Sequence, residues 1–315
     1  MMIAWPAARL ILCLSFCLLF GSAVGTLAAA TGASTQEVFK SPADAASALV
    51  EAARSNDAKR LSAILGGTAR EVLSSGDAVA DASDRRRFLE AYDSRHTLSE
   101  KGDTATLLVG PDDFPFPIPI MRSGDGWKFD VEAGRQEITA RRIGRNELAA
   151  IQASLAVFDA QQEYATKDRT GQGPGVYAQR IISRANARDG LYWDSAAGEE
   201  RSPLGELAAE AAAEGYRAGE TPSPFHGYYY KILKRQGPAA PGGAIDYVAG
   251  GKMIGGFALL AYPAEYGRSG VMSFMLNHAG TVYQKDLGPG TGRIAARMQS
   301  FNPDKGWEKI TPEKQ

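Results

Sequence analysis

The chain has 315 residues, and its charge is nearly balanced, with 35 lysines and arginines against 36 aspartates and glutamates. This balance gives no electrostatic reason to expect nucleic acid or an anionic membrane surface as a partner. Glycine is frequent, at 35 residues, where about 7% is average. So many glycines favour a turn-rich antiparallel sheet over a helical bundle.

The first thirty residues have the layout of a secretory signal peptide. Arg9 is followed by an apolar stretch over 10–20 and then by alanines at 28–30. The apolar stretch is too short to span a bilayer, and the alanines form an A-x-A cleavage site. We expect cleavage after Ala30 and a periplasmic or secreted protein. The alternative, an uncleaved membrane anchor, is disfavoured because Ser15 interrupts the apolar stretch.

The chain contains two cysteines, Cys13 and Cys17, and both lie in the predicted signal peptide. Both follow bulky residues, whereas the lipid-modified cysteine of a bacterial lipoprotein follows a small one. Cleavage after Ala30 would leave no cysteine for a disulfide, a thiol nucleophile or a metal site. About 285 remaining residues are enough to fold without such covalent links.

The sequence from 36 to 140 predicts helices first and strands afterwards. Ser41 and Pro42 begin a helix, and the further predicted elements are helices at 57–65 and 84–94 and strands at 104–109, 116–121 and 126–131. Pro117 and Pro119 suit an edge strand because they lack N–H groups. This order, with the GWKFD strand, is loosely similar to exported NTF2-like domains. We expect a small α+β domain.

The sequence from 146 to 310 predicts a second α+β domain, joined rigidly to the first through 141–148. Asn146 caps a helix whose apolar face carries Leu148, Ile151, Leu155 and Phe158. A second helix is predicted over 204–216. Four strands follow at 228–233, 257–262, 271–276 and 281–285, the last two joined by a hairpin turn over 277–280.

Three histidines are available for chemistry, His96, His226 and His278. Their spacing fits no zinc motif, so we expect no metal. The glycine pairs around Lys252 lack the phosphate-loop pattern, so we expect no nucleotide cofactor. No G-x-S-x-G segment indicates a serine hydrolase. His226, beside a run of tyrosines, is the one weak catalytic candidate.

Aromatic residues concentrate in the second predicted domain. Tyrosine and tryptophan provide large contact areas at small entropic cost. The candidate binding residues are Tyr228, Tyr230, Tyr262, Tyr266 and Trp193. Core packing explains many of these positions equally well, so both interpretations stay open.

Several motifs together resemble one family. FPFPIPI at 114–120, RRIGRNEL at 141–148, DGLYW at 189–193, SPLG at 202–205 and the block from 255 to 288 are similar to an exported bacterial family, domain of unknown function 2950. The resemblance implies an envelope protein and no particular activity.

The second predicted domain also distantly resembles the globular part of type IV pilin-like proteins. AQQEY at 160–164 and GYYYKI at 227–232 carry that likeness, which implies one long helix on a four-stranded sheet. The chain lacks the prepilin leader and the long apolar helix of pilins, so the likeness concerns the fold alone.

We therefore expect a non-enzymatic periplasmic binding or interaction module of the cell envelope, with an unidentified envelope protein or polymer as partner. One alternative is a hydrolase acting on an envelope polymer or peptide through His226 and a nearby carboxylate. Another is a structural accessory of a secretion or pilus-like system. A deep pocket holding His226 and an acid would favour the hydrolase, and a tyrosine-lined surface would favour binding.

Overall fold

A computed structural model describes residues 36–67, 69–196, 198–216 and 223–310. The predicted signal peptide lies outside these residues. Helices are mixed with sheets in which neighbouring strands are antiparallel, which confirms the α+β class. The described residues belong to one compact unit.

The chain begins with helices, as predicted. They are α1 (Pro42–Arg54), α2 (Ala58–Leu65), α3 (Ala69–Leu73) and α4 (Ala78–Ser94). The hydroxyl of Ser41 accepts a hydrogen bond from the backbone N–H of Asp44 at 3.1 Å, which confirms the predicted start of α1. Helix α4 begins before the predicted residue 84, because the Asp77 carboxylate caps it there.

The first sheet contains β1 (His96–Lys101), β2 (Thr104–Val109), β3 (Phe114–Pro115), β4 (Ile120–Ser123) and β5 (Gly126–Phe129). Its order is β1-β2-β4-β5, and β3 also pairs with β2. The continuous strand predicted over 116–121 is wrong, because the chain leaves the sheet between β3 and β4. Pro117 and Pro119 lie in that break, where their missing N–H groups remove no ladder hydrogen bond.

A single helix of 35 residues, α5 (Val131–Ala165), follows the first sheet. The predicted helix start at Asn146 is therefore wrong, and Asn146 is buried in the middle of α5. Asp130 caps the helix instead, accepting a hydrogen bond from a backbone N–H at 3.1 Å. No proline interrupts the segment after Asp130, and Glu137 pairs with Arg141 one turn later, so the helix continues.

The remaining elements form the second sheet and its surroundings. They are α6 (Gly205–Glu214), β6 (Tyr228–Leu233), β7 (Arg235–Gln236), β8 (Ile245–Asp246), β9 (Val248–Ala249), β10 (Lys252–Met253), β11 (Ala258–Pro263), β12 (Met272–Asn277), β13 (Val282–Asp286), α7 (Thr291–Arg297) and β14 (Glu308–Ile310). The main sheet has the order β14-β13-β12-β11-β6. The four predicted strands are present to within one residue at each end, and β14 adds a fifth.

Two hydrophobic cores are present, and α5 takes part in both. Val131, at the start of α5, belongs to the first core with Trp127 and Phe129, whereas Ala150 and Val157 belong to the second. The predicted boundary between 140 and 146 falls inside this helix. The division into domains of 36–140 and 146–310 stays a prediction.

Polar contacts connect the middle of α5 to the helices of the first core. The guanidinium of Arg142 donates to the carbonyl of Val72 at 2.8 Å, and Arg145 pairs with Asp84 of α4 at 2.6 Å. Burial lowers the pKa of Arg142. The basic residues 141–145 therefore lie inside α5 and connect it to the helices of the first core.

Candidate functional site

A groove of about 1020 Å³ lies beside β6. Its walls come from three parts of the chain: the face of α6 that carries Leu207, Ala208, Ala211 and Ala212, the segment 179–185, and Tyr229, Tyr230 and Ile232 of β6. Val157 of α5 also lines it. This volume is at the upper limit of the range of ligand-binding pockets in proteins.

The local sequence explains why space is left at this place. Helix α6 is rich in alanine, so the side of the helix that faces the groove carries short side chains. The helix ends at Gly215, whose φ of 108° is the left-handed conformation that glycine adopts easily. The chain then turns back, and the backbone N–H of Tyr216 donates to the carbonyl of Ala211 at 2.8 Å. Tyr216 is thereby fixed at one end of the groove.

The groove follows the edge of the second sheet. Strand β6 is the last strand of that sheet, and among the described strands it pairs with β11 alone, apart from an isolated bridge between Tyr228 and Phe225. Successive side chains of a strand point to opposite faces, yet Tyr229 and Tyr230 both line the groove. A groove lined from both faces of one strand runs along the edge of that strand.

Tyrosine hydroxyls in the groove differ in their hydrogen bonds. The Tyr192 hydroxyl donates to the Asp194 carboxylate at 2.6 Å, and that hydrogen bond, with burial, raises the pKa of Tyr192 to about 12. Tyr230 donates to the carbonyl of Phe225 at 3.4 Å, and burial raises its pKa. The described residues provide no hydrogen-bond partner for the Tyr229 hydroxyl. Tyr229 therefore offers a free donor and acceptor beside an apolar surface.

Asp77 is the hub of a buried polar cluster at the end of the groove. One carboxylate oxygen accepts from the backbone N–H groups of Val79 and Ala80, at 3.1 and 3.0 Å. The other accepts from the Tyr216 hydroxyl at 2.8 Å and from the Gly227 N–H at 2.9 Å. Burial first, and then the charge of Asp77, raise the pKa of Tyr216. The carboxylate thus fixes the groove end to the start of α4.

His226, the weak catalytic candidate, lies next to this cluster. Its backbone has a φ of 48° and its N–H donates to the Tyr216 hydroxyl at 3.2 Å. Its ring packs against Tyr216 and Phe225, outside the groove lining. The Nε2 of His226 lies 3.6 Å from a carboxylate oxygen of Glu214. This distance is longer than a hydrogen bond, so the pair is an ion pair when His226 is protonated.

The structure brings two of the five predicted binding residues to the groove region. Tyr230 lines the groove, and the ring of Tyr262 lies 5.7 Å from that of Tyr229. Tyr228 is fully buried, and its hydroxyl donates to the carbonyl of Met272 at 2.8 Å. Tyr266 lies elsewhere, donating to Asp286 at 3.1 Å.

Trp193 lies in a smaller, neighbouring hollow of about 650 Å³. Its indole N–H donates to the carbonyl of Glu200 at 3.2 Å, and the guanidinium groups of Arg169 and Arg188 lie 5.9 and 5.6 Å from its ring. Trp193 is 8% exposed. Trp193 therefore contributes little surface to either hollow. It lies between Tyr192 and Asp194, which line both hollows.

Sequence reasoning missed Tyr216, Phe225 and Tyr229 as groove residues. Tyr229 is in the same YYY run as the two chosen tyrosines, but alternation alone assigns it to the opposite face. Only the strand order makes β6 an edge, and that order depends on contacts between residues far apart in the sequence. The AAEAAAEG segment, with its short side chains next to a tyrosine, was the available signal for Tyr216.

Two further properties concern the described part of the chain. No group of three or more histidine, aspartate or glutamate side chains in it is arranged to hold a metal ion. None of its helices combines the length and the apolar character needed to cross a membrane.

Comparison with known proteins identifies one family. The family model described as "Protein of unknown function (DUF2950)" matches residues 36–310. The chain belongs to this family. No curated protein and no solved structure matched it. The likeness to pilin-like proteins therefore stays a hypothesis.

Proposed function

We propose that this member of the DUF2950 family is an exported, non-enzymatic binding protein of the cell envelope that takes its ligand in the groove beside β6. The observation that carries the proposal is the groove itself, a hollow of about 1020 Å³ with aliphatic and tyrosine walls. Tyrosine-rich walls are typical of binding surfaces. A function has to be argued from such a site, since a fold alone does not imply one.

The lining favours binding over catalysis. Tyr229, Tyr230 and Ile232 present apolar surface and hydroxyls, which suit contact with a ligand. The rival function is a hydrolase that uses His226 with a carboxylate. Glu214 is the candidate carboxylate, because one of its oxygens lies 3.6 Å from the His226 Nε2. The His226 ring, however, packs against Tyr216 and Phe225 and does not line the groove. A structural role in a secretion or pilus-like system has no specific observation in its favour.

Export is the second part of the proposal, and it is supported by the signal-peptide layout of the first thirty residues. Fractionation of cells that produce the chain should recover it in the periplasm or the medium. Sequencing of its N-terminus should give Thr31 as the first residue. A cytoplasmic chain that still begins at Met1 would contradict export without bearing on the groove.

Two substitutions on α6 test the groove directly. Ala212 and Ala213 are both exposed neighbours on α6, and of the two only Ala212 lines the groove. Ala212→Arg places a long charged side chain in the groove, whereas Ala213→Arg makes the same chemical change outside it. We expect envelope partners captured by the wild-type chain to be lost with Ala212→Arg and kept with Ala213→Arg. Equal capture by both variants would refute the proposed site.

A hydrolytic screen tests the rival. If the purified protein cleaves an envelope polymer or peptide and His226→Ala abolishes that cleavage, the binding-protein proposal fails. We expect no His226-dependent cleavage. The His226→Ala variant should bind the same partners as the wild type, because the ring lies outside the groove lining.

A further inference from the structure

The free edge of β6 is a place where another strand can be added. The sheet order places β6 at the end, with β11 on one side. Such an edge exposes N–H and C=O groups that can hydrogen-bond to an extended chain. In this protein the edge lies within the groove that we propose as the binding site, and the inference rests on that proposed function.

The register between β6 and β11 decides which residues face the open side. The backbone N–H of Ala264 donates to the carbonyl of Gly227 at 2.9 Å, next to the pair Tyr228 and Pro263. Hydrogen-bonded pairs alternate with other pairs in an antiparallel ladder. Tyr229, Lys231 and Leu233 therefore bond to β11, and the backbone groups of the residues between them turn to the open side.

Both ends of this edge are closed by the protein's own loops. Tyr228 exchanges two backbone hydrogen bonds with Phe225, at 3.1 and 2.9 Å. The carbonyl of Lys234 accepts from the N–H of Tyr247 at 2.9 Å. Between these ends, the backbone N–H and C=O groups of Tyr230 and Ile232 have no hydrogen-bond partner in the described part of the chain. These two residues therefore offer unpaired backbone hydrogen-bonding groups, and both residues line the groove.

The walls of the groove set what side chains a partner can carry. Val157 and Leu207 line the side beside α5 and α6, where an aliphatic side chain fits. Arg180 lines the groove and is exposed, and its charge helps to lower the pKa of Asp189, but its side chain makes no hydrogen bond and no ion pair within 4.0 Å among the described residues. Arg184, by contrast, already pairs with Asp189 at 2.6 Å. Arg180 is thus a cation available to an acidic group.

We propose that a partner polypeptide binds in this groove as an extended strand, adds to the edge of β6 and hydrogen-bonds to the backbone of Tyr230 and Ile232. Its side chains alternate, as in any strand. Aliphatic ones point toward α5 and α6, and an acidic one reaches Arg180. Main-chain hydrogen bonds supply the general affinity, and these side chains supply the selectivity.

A single strand fits this edge better than a second copy of the protein. Tyr230 and Ile232 are only partly exposed, with α6 and the segment 179–185 forming walls beside them. Two copies pairing through β6 would have to bring the strands to about 4.8 Å from each other. The walls oppose such an approach by a whole sheet, whereas one extended chain can enter between them.

Amide hydrogen exchange tests the pairing residue by residue. The probe is a synthetic peptide, the tightest binder selected from a phage-displayed library of linear twelve-residue peptides against the exported chain. At saturation, we expect the exchange of the Tyr230 and Ile232 amides to slow roughly fivefold or more. Tyr229 and Lys231, already bonded to β11, should change little. Equal slowing at all four amides, or none, would overturn the proposal.

Methylation of the peptide backbone provides a second test. N-methyl groups at alternate peptide positions should abolish binding, because those N–H groups face β6, and the positions between them should tolerate the change. Arg180→Ala should weaken an acidic peptide roughly tenfold. Arg235→Ala, which removes an exposed arginine outside the groove, should have no effect. A methylation profile without alternation, or equal effects of the two substitutions, would overturn strand addition.

The outcomes separate strand addition from the proposed function. If Ala212→Arg binds every library peptide as well as the wild type does but no longer binds the envelope partner, strand addition is wrong and the groove remains the proposed binding site. If Ala212→Arg keeps its envelope partner, the groove itself is wrong. Concentration-dependent protection of Tyr230 and Ile232 without peptide would make a second copy the occupant and would also overturn the proposal.

Discussion

The replacement of Asp77 by alanine should destabilise the protein far more than the loss of an ordinary helix cap. Asp77 is 2% exposed, and its carboxylate accepts four hydrogen bonds, two from the start of α4 and two from Tyr216 and Gly227. In Asp77→Ala the Tyr216 hydroxyl and the Gly227 N–H stay buried without an acceptor. Each such group costs about 1 to 3 kcal/mol.

Loss of the cap adds about 1 kcal/mol, and the relief from burying a charge offsets part of the total. We therefore expect the free energy of unfolding to fall by about 3 kcal/mol. Asp57→Ala is the matched control, since Asp57 is an exposed cap with one hydrogen bond, to the Arg60 N–H at 2.9 Å. It should lose about 1 kcal/mol.

Urea unfolding followed by tryptophan fluorescence measures both losses on the same scale. Tyr216→Phe tests the Tyr216 contact separately from the helix cap. It removes both hydrogen bonds of the hydroxyl, the one to Asp77 and the one from the His226 N–H, and leaves the Asp77 contacts to α4. It should cost about 2 kcal/mol. If Asp77→Ala lost no more stability than Asp57→Ala, the carboxylate would not connect α4 to the groove end as described.

Three further predictions follow from the same structure. Gly227→Ala should lower the free energy of unfolding by about 1 to 3 kcal/mol, because φ is 73° and an added Cβ would lie 2.6 Å from the buried Asn146 Nδ2. Gly243→Ala, with a φ of 78° and open space around the added Cβ, should cost less. Thermal unfolding compares the two variants, and equal losses would contradict the contact with Asn146. The hydrogen bond to Asp194 raises the pKa of Tyr192 to about 12, so the stability that it contributes is complete below about pH 10 and is lost between about pH 10 and pH 12. Tyr192→Phe should therefore flatten the pH profile of unfolding in this range. An unchanged profile would show that the Tyr192–Asp194 hydrogen bond is not the origin of the pH dependence. Arg142→Gln should lower the free energy of unfolding by about 2 kcal/mol, because the guanidinium is buried and hydrogen-bonded. Arg145→Gln removes an exposed ion pair and should cost less than about 1 kcal/mol. The reverse order in urea unfolding would contradict a stabilising contact between Arg142 and Val72.

Local signals in the sequence were sufficient for much of the fold. Ser41 and Pro42 marked the start of α1 because a cap and a helical first turn depend on neighbouring residues only. The strand predicted over 271–276 lies within one residue of β12, because Met272, Phe274 and Leu276 alternate with their neighbours along the sequence. The predicted helix start at Asn146 was wrong, although asparagine is a favourable helix cap. The helix begins after Asp130 and continues through Asn146, because no proline lies between them.

The groove depended on information that local patterns do not contain. Tyr229 and Tyr230 were assigned to opposite faces, which is correct for a strand, yet both line one groove because β6 is an edge. Asp77 and Gly227 lie 150 residues apart and meet through one hydrogen bond. Strand order and such distant contacts result from packing of the whole chain, and a single sequence does not display them.

Site-directed photo-crosslinking in living cells tests the central claim, that the groove beside β6 is where a ligand binds. A photoreactive phenylalanine analogue is incorporated at position 212 in one strain and at position 213 in another, so that the two probes differ in whether they point into the groove. We predict that irradiation of the native host yields a crosslinked partner from position 212 and none from position 213. Equal crosslinking from both positions, or crosslinking from 213 alone, would contradict the account.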